Sequence, residues 1–323
     1  MPELFVEYLS EEIPSRMQKG AAIYLQKCFE LSLEEHKLSF GKISTMFSSR
    51  RLVINIEKIP LKQPNIIEEL RGPRFGAPKN AIQGFVKSKK MTTQDLFKKD
   101  TPKGLFWFLK ISNTGENSKE IIPYIIKDIT MNFQWPKSQR WGLSKMKWVR
   151  PLKKVNVLFN DEPLIFKIDS DSNIITSNKT FGHPLLSSRE IYFKNFSEYL
   201  SKLKKEYVIV DHILRKKIIL NQIEKITNKS KLNILMDDNL IDEIVGIVEW
   251  PNLILGEIEE RFMNLPDEVL LTVMKRHQKY FSFKGKGGSI APFFATISNM
   301  KKNKKRDETI RIGNQRVLRA RLE

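Results

Sequence analysis

Cysteine is close to absent. Cys28 is the only one in 323 residues, which excludes an intramolecular disulfide and any multi-cysteine zinc site and fits a reducing compartment. Histidine is nearly as scarce. His36, His183, His212 and His277 stand too far apart in sequence to nominate a triad or a metal pair, and no HExxH occurs. No run approaches the roughly 18 apolar residues of a membrane-spanning helix, so no membrane partner is expected. The start, MPELFVEYL, carries neither a basic n-region nor Arg/Ser-rich transit character, and a cytoplasmic location follows as the expectation. Nucleotide signatures are missing too. Gly285-Lys286-Gly287-Gly288-Ser289 has the wrong spacing for a phosphate-binding loop, and no GxGxxG follows a strand. Glu11 and Glu12 are neighbours that point in different directions at a turn. The sequence therefore nominates no catalytic residue and no cofactor of its own.

Acidic residues are also in short supply. The 37 Asp and Glu face 56 Lys and Arg, a formal charge of +19, which favours a polyanionic partner, nucleic acid before an anionic membrane surface. Lys, Ile and Asn are abundant together, as in a chain from an AT-rich genome, and this alone would leave some lysines merely solvating the surface.

Hydrophobic periodicity predicts an α+β, multidomain protein of mixed sheets and packed helices without a Rossmann core. Region 1–60 reads as an N-terminal α+β unit: strand Phe5–Leu9, helix Ser15–Lys37 with Ile23, Leu25, Cys28, Phe29 and Leu31 apolar, then strands Ile43–Phe47 and Leu52–Ile59. Region 61–80, with Pro64, Pro73 and Pro78 following Pro60, reads as a linker or extended connection. Region 81–190 is mixed and largely β. Its helices are Asn80–Lys90 and Ser118–Phe133, the latter with Pro123 near its first turn; its strands are Leu105–Ile111, Val155–Phe159, Leu164–Ile168 and Ile174–Thr180. Between them, loop 135–151 interleaves three tryptophans with Lys137, Arg140, Lys145, Lys147 and Arg150. That pattern suits base stacking with phosphate pairing; it equally suits tryptophans anchoring a loop whose charges point outward, which is slightly preferred.

Region 191–300 alternates strand and helix: Ile191–Phe193, Phe196–Lys205, Tyr207–Val210, a helix after the N-cap Asp211, another from Asp238 stopped at Pro251, then strands Leu253–Glu257 and Phe293–Ile297 around a Lys284–Ser289 turn. Within it, Leu265–Phe281 reads as one helix. Val269, Leu270, Val273 and Met274 form a stripe that ends in His277 and Gln278. Region 301–323 is the most basic, nine Lys and Arg against three acids over 23 residues. Gly313-Asn314 would begin a helix there, and a chain stopping a few residues into such a helix reads as cut.

Nine motifs then fall in one order: Glu11-Glu12-Ile13-Pro14, Ser49-Arg50-Arg51-Leu52, Arg71-Gly72-Pro73, Arg140-Trp141-Gly142, Val149-Arg150-Pro151, Thr180-Phe181-Gly182-His183, Val248-Glu249-Trp250-Pro251, the 265–281 stretch, and Gly313 to Arg321. Collinear over almost the whole chain, they resemble the β subunit of bacterial glycyl-tRNA synthetase. The departures are Gln315 for an expected glutamate, Phe181 for a basic residue and Ser48-Ser49 for a proline.

The resemblance implies part of an α2β2 ligase that joins glycine to tRNA(Gly). ATP and Mg would be used through the separate α subunit, with no class II catalytic core and no catalytic residue in this chain. Family members continue into further helical and anticodon-binding domains, so an N-terminal portion is the expectation. The candidates for RNA contact are Arg50, Arg51, Arg140, Arg150, Lys275, Arg276, Lys279, Arg316, Arg319 and Arg321. His277, Gln278, Tyr280 and Trp250 are candidate structural residues, His277 as a hydrogen-bonded organiser of its turn. The alternative is a stand-alone basic nucleic-acid-binding or assembly protein.

Overall fold

A computed structural model describes residues 2–230, 232–285 and 288–323. Strand β1 (Leu4–Ser10) is buried at every residue, because both of its faces are covered. Helix α1 (Ser15–Glu35) follows, then β2 (Ile43–Phe47) and β3 (Arg51–Ile56). Alternation along β1 sends Leu4, Val6 and Tyr8 into one core and Phe5 into another. The α1 face differs from the expected stripe. Ala21, Ala22, Leu25, Phe29 and Leu33 recur at three- and four-residue intervals and are buried, which rotates Ile23 and Leu31 outward to 62% and 55% exposure.

The proline-rich span after β3 is not merely a connection. It holds β4 (Ile66–Arg74), then α2 (Lys79–Ser88), β5 (Leu96–Thr101) and β6 (Gly104–Asn113) follow, and the strands form an antiparallel sheet in the order β4-β6-β5. Its entry and exit are clamped together: Gln63 N–H donates to the Glu116 carbonyl at 2.9 Å, and Gln63 Oε1 accepts from Glu116 N–H at 3.0 Å. The sheet is thus an insertion between β3 and α3 (Ser118–Asn132). In α3, Ile121, Ile122, Ile125, Ile126 and Ile129 are buried as their spacing requires. Pro123 lies beyond the first turn, inside the helix.

Strands β7 (Leu152–Phe159) and β8 (Glu162–Pro163) complete a five-stranded antiparallel sheet, β2-β3-β1-β7-β8. Of the two strands expected over 164–180, only β9 (Lys179–Phe181) is regular, pairing with β10 (Glu190–Tyr192). Thr176 explains part of this: its hydroxyl donates to the Leu164 carbonyl and accepts from Phe166 N–H, taking up groups that a ladder would use. Helix α4 (Phe196–Lys205) packs Tyr199 and Leu203 with Phe5 and Phe193 on the second face of the main sheet. Residues 207–210 form no strand. Tyr207 turns the chain at φ 62°, and Ile209 N–H bonds the Glu249 carbonyl instead of a ladder.

Helix α5 (His212–Ser230) is capped by Asp211 as expected, its Oδ1 accepting from Ile213 and Leu214 N–H. The remainder is β11 (Asn233–Ile234), α6 (Asp238–Ile247), β12 (Pro251–Glu257), α7 (Asp267–Leu271), β13 (Phe281–Lys284), β14 (Ile290–Asn299) and α8 (Lys304–Leu322). The strands make a second antiparallel sheet, β11-β13-β14-β12. The Lys284–Ser289 turn lies partly outside the described residues.

Two helices differ from their sequence patterns. After α7 the chain winds into a π-helical turn, Thr272–Gln278, closed by Lys279 at φ 59° with Tyr280 N–H on the Met274 carbonyl. Leu270 and Met274 are buried, while Val269 of α7 and His277 of the wider turn are exposed. Helix α8 starts ten residues before Asn314, because Asn303 caps it by accepting from Arg306 N–H at 3.0 Å.

Candidate nucleic-acid interface

Three of the motifs converge in space on a buried ionic junction. In the antiparallel register Arg51 and Glu7 face the same side of the main sheet, beside Asn156 of β7. Arg51 is 1% exposed. Its Nε reaches Glu7 Oε1 at 3.1 Å, its Nη1 reaches Glu249 Oε1 at 2.5 Å, and its Nη2 donates to the Phe181 carbonyl. Glu7 also accepts from Asn156, Thr180 and Tyr199, and Glu249 from the Ser48 hydroxyl at 2.6 Å. A buried charge is tolerated only when so enclosed. Burial opposes the Arg51 charge, but the Glu249 and Glu7 carboxylates more than offset it, so its pKa is raised. Glu249 is pushed up by burial and pulled further down by Arg51 and Ser48, ending below the usual glutamate range.

A second buried arginine completes the joint. Arg215 of α5 donates to the carbonyls of Val245, Ile209 and Phe47, while Gln18 of α1 donates to Gly246 at 2.8 Å. Together they satisfy carbonyls at the C-terminal end of α6, where a cation also meets the negative end of the helix dipole. Burial lowers the Arg215 guanidinium to about 10, still charged at neutral pH. His183, wholly buried, accepts from Leu185 and Leu186 N–H through Nδ1 at 3.2 Å. Those donors fix a neutral ring with its proton on Nε2, and burial depresses its pKa accordingly.

The other two motifs with distinctive sequences also meet. Tyr280 Oη bonds Asn314 Oδ1 at 2.5 Å, and Leu318 enters a core with Leu270, Met274, Tyr280 and Phe294. Burial pushes the Tyr280 phenol up to about 12. The 265–281 turn is organised by Tyr280 rather than by His277, which is exposed and whose ring has no hydrogen-bond partner among the described residues. Gln278 is half-buried, 3.5 Å from Tyr280 Oη. Trp250 stands edge-on to Tyr207 at 5.3 Å, and its N–H, like that of Glu249, is held by Asn299 Oδ1 at 2.9 Å.

The ten basic candidates now separate. Arg51 is inside the protein. Arg50 pairs with Glu11, Lys275 with Asp237, Lys279 with Glu243 and Arg319 with Glu259. Arg140, Arg150, Arg276, Arg316 and Arg321 are exposed, and none has an acid partner among the described residues. In loop 135–151 two of the three tryptophans offer no stacking surface, and Trp141 is partly buried against the main core. Trp148 is 0% and Trp135 9% exposed, both packed on Phe133, while Lys137, Arg140, Lys145, Lys147 and Arg150 point outward.

Sequence reading missed Glu7, Tyr199, Arg215 and Glu249 as partners. The one available signal was a glutamate inside an otherwise apolar strand, LFVEYLS, which demands a buried cation. The departures from the motifs cost little here: Phe181 contributes its carbonyl and Ser48 its hydroxyl. Among the described residues no group of three or more His, Cys, Asp and Glu could hold a metal ion, and no helix is long and apolar enough to cross a membrane.

The family model described as glycyl-tRNA synthetase beta subunit matches residues 4–323. The chain is 36% identical over 323 residues to the glycine-tRNA ligase beta subunit of Paracoccus denitrificans, covering 100% of this chain and 47% of that protein. It is 37% identical to the beta subunit of a Ruegeria species over 324 residues, with coverage of 100% and 47%, and 36% identical to that of Rickettsia prowazekii over 320 residues, with 99% and 47%. It spans about half the length of these curated relatives. The match takes in the residues that build the ionic junction and seat α8, and the chain belongs to the glycyl-tRNA synthetase beta subunit family.

Proposed function

We propose that this chain serves a cytoplasmic glycine-tRNA ligase as a tRNA-binding and assembly part, working with a catalytic α subunit in an α2β2 complex. The observation that carries the reading is that five of the candidate arginines, Arg140, Arg150, Arg276, Arg316 and Arg321, are exposed and have no acid partner among the described residues, on a chain of net charge +19 in this family. Such cations neutralise phosphates and release counterions, so RNA affinity should fall steeply with salt. Arg51 is left out of the RNA-facing set, since its guanidinium holds the junction. ATP and Mg act, in this proposal, through the α subunit, and this chain forms no glycyl-adenylate.

The test mixes the chain with the matching α subunit and follows ATP- and glycine-dependent charging of tRNA(Gly). Charging only with both subunits present, and RNA retention that weakens with salt, are the expected results. Adenylate made by this chain alone, or equal binding of unrelated RNAs with no α-subunit association, overturns the reading.

A further inference from the structure

The inserted sheet of β4, β5 and β6 carries a feature that the motif set did not mark. Residues 66–113 hold ten Lys and Arg against four acids. Its small core is Leu109, 0% exposed, with Val86 of α2 at 4%. The two faces of the sheet then differ at the β5–β6 hairpin end. On one face Phe108 is 8% exposed, with Lys99 lying over it while bonded to Glu69, and Arg71 covers Phe106. That face is closed by its own ion pair.

The opposite face carries the buried Leu109 further along β6 and is less covered only at the hairpin end. Phe75, just past β4, is 44% exposed and its ring lies 5.4 Å from Trp107. Lys98, opposite Trp107 in the ladder, holds its ammonium 4.2 Å from the Phe75 ring centroid and 5.6 Å from that of Trp107. Lys103, in the β5–β6 turn, is exposed, whereas Arg74 is paired with Phe106 and belongs to the other face. Lys98 and Lys103 have no acid partner among the described residues. One exposed ring and one half-buried ring beside two cations without acid partners among the described residues present a stacking surface with phosphate ligands at its edge. A duplex hides its base faces and uses only the charge; unpaired nucleotides use both.

We propose that Phe75, Trp107, Lys98 and Lys103 form a site for unpaired nucleotides of an RNA, resting on the RNA-binding reading above. Stacking fixes the bases on Phe75 and Trp107, and the cations meet the backbone.

The experiment measures binding of a single-stranded uridine 12-mer and of an RNA duplex of equal length to the full chain, for wild type, Phe75→Ala, Phe75→Tyr and Lys98→Ala. The expected result is about a tenfold loss of single-strand affinity in Phe75→Ala, in line with the worth of one base stack, retention in Phe75→Tyr, and little change for the duplex. A 5-iodouridine 12-mer should cross-link under ultraviolet light to the peptides bearing Phe75 or Trp107. Single-strand affinity unchanged in Phe75→Ala, or cross-links confined to other peptides, overturns the site while leaving the wider RNA reading intact. Failure of wild type to bind either RNA removes both. Loss of α-subunit association in Phe75→Ala with RNA affinity kept assigns the face to protein and also overturns the proposal.

Discussion

Arg51 and Arg316 look alike in the sequence, each a basic residue in a motif rich in arginine, yet the fold gives them opposite duties. Arg51 is sealed between Glu7 and Glu249, whereas Arg316 stands exposed on α8 without an acid partner among the described residues. What separates them is whether the fold has placed a carboxylate within reach. In the ionic junction it placed two from distant segments; along the outer side of α8 it placed one for Arg319 and none for Arg316 or Arg321. A surplus of charge thus marks binding surface only where acids are not held nearby.

The sharpest way to break this contrast is to empty the junction. Arg51→Ala or Glu249→Ala leaves an uncompensated buried charge and should cost about 3–5 kcal/mol, read as a lowered urea midpoint. Arg51→Lys should recover little, because one ammonium cannot reach Glu7, Glu249 and the Phe181 carbonyl at once.

Acid offers a second route. His183 has a depressed pKa in the fold, so the unfolded chain takes up a proton below its ordinary value of 6.5 while the native ring stays neutral. Stability should decline as pH falls through that value. Glu249, also depressed, contributes stability that is present above the ordinary glutamate value of 4.5 and lost as pH falls further. Thermal midpoints measured from pH 8 to pH 4 should fall monotonically, and a midpoint that rises on acidification contradicts both assignments.

On the α8 side, Tyr280→Phe removes the bond to Asn314 and should cost about 1 kcal/mol, visible as earlier proteolysis of α8. Least disruptive of all, Arg316→Gln and Arg321→Gln should leave stability within about 0.5 kcal/mol. Each should reduce the salt slope of tRNA binding by about one unit if it meets a phosphate. A large stability loss there would erase the distinction between the two kinds of arginine.

Much of the fold was legible because periodicity and caps acted locally. Helices α1, α4, α5 and α6 begin within a residue or two of their expected starts, at Pro14, Asn195, Asp211 and Asp237. The failures came where a partner far along the chain decided the outcome. Residues 207–210 have strand-like side chains but bond Glu249, and the π turn moves His277 off the buried stripe. The candidate site divided in the same way. The sequence showed how many cations there are, whereas the pairing of Arg51, Lys275, Lys279 and Arg319 depends on the packed structure. In loop 135–151 Trp135 and Trp148 are sites of packing, whereas the exposed Phe75, from a span whose prolines had suggested only a connection, meets Trp107 of the strand expected at 105–111.

The junction also sets an order of events during synthesis. Glu249 lies 198 residues after Arg51, and a ribosome adding about 5–20 residues per second needs roughly 10–40 s to cover that distance. Throughout that interval the nascent N-terminal sheet has Arg51 and Glu7 but not the second carboxylate, nor the α6 end that Arg215 and Gln18 later cap. The first unit can thus collapse early but cannot lock until nearly 250 residues have been made, which gives the emerging chain a defined window in which chaperones meet it incomplete.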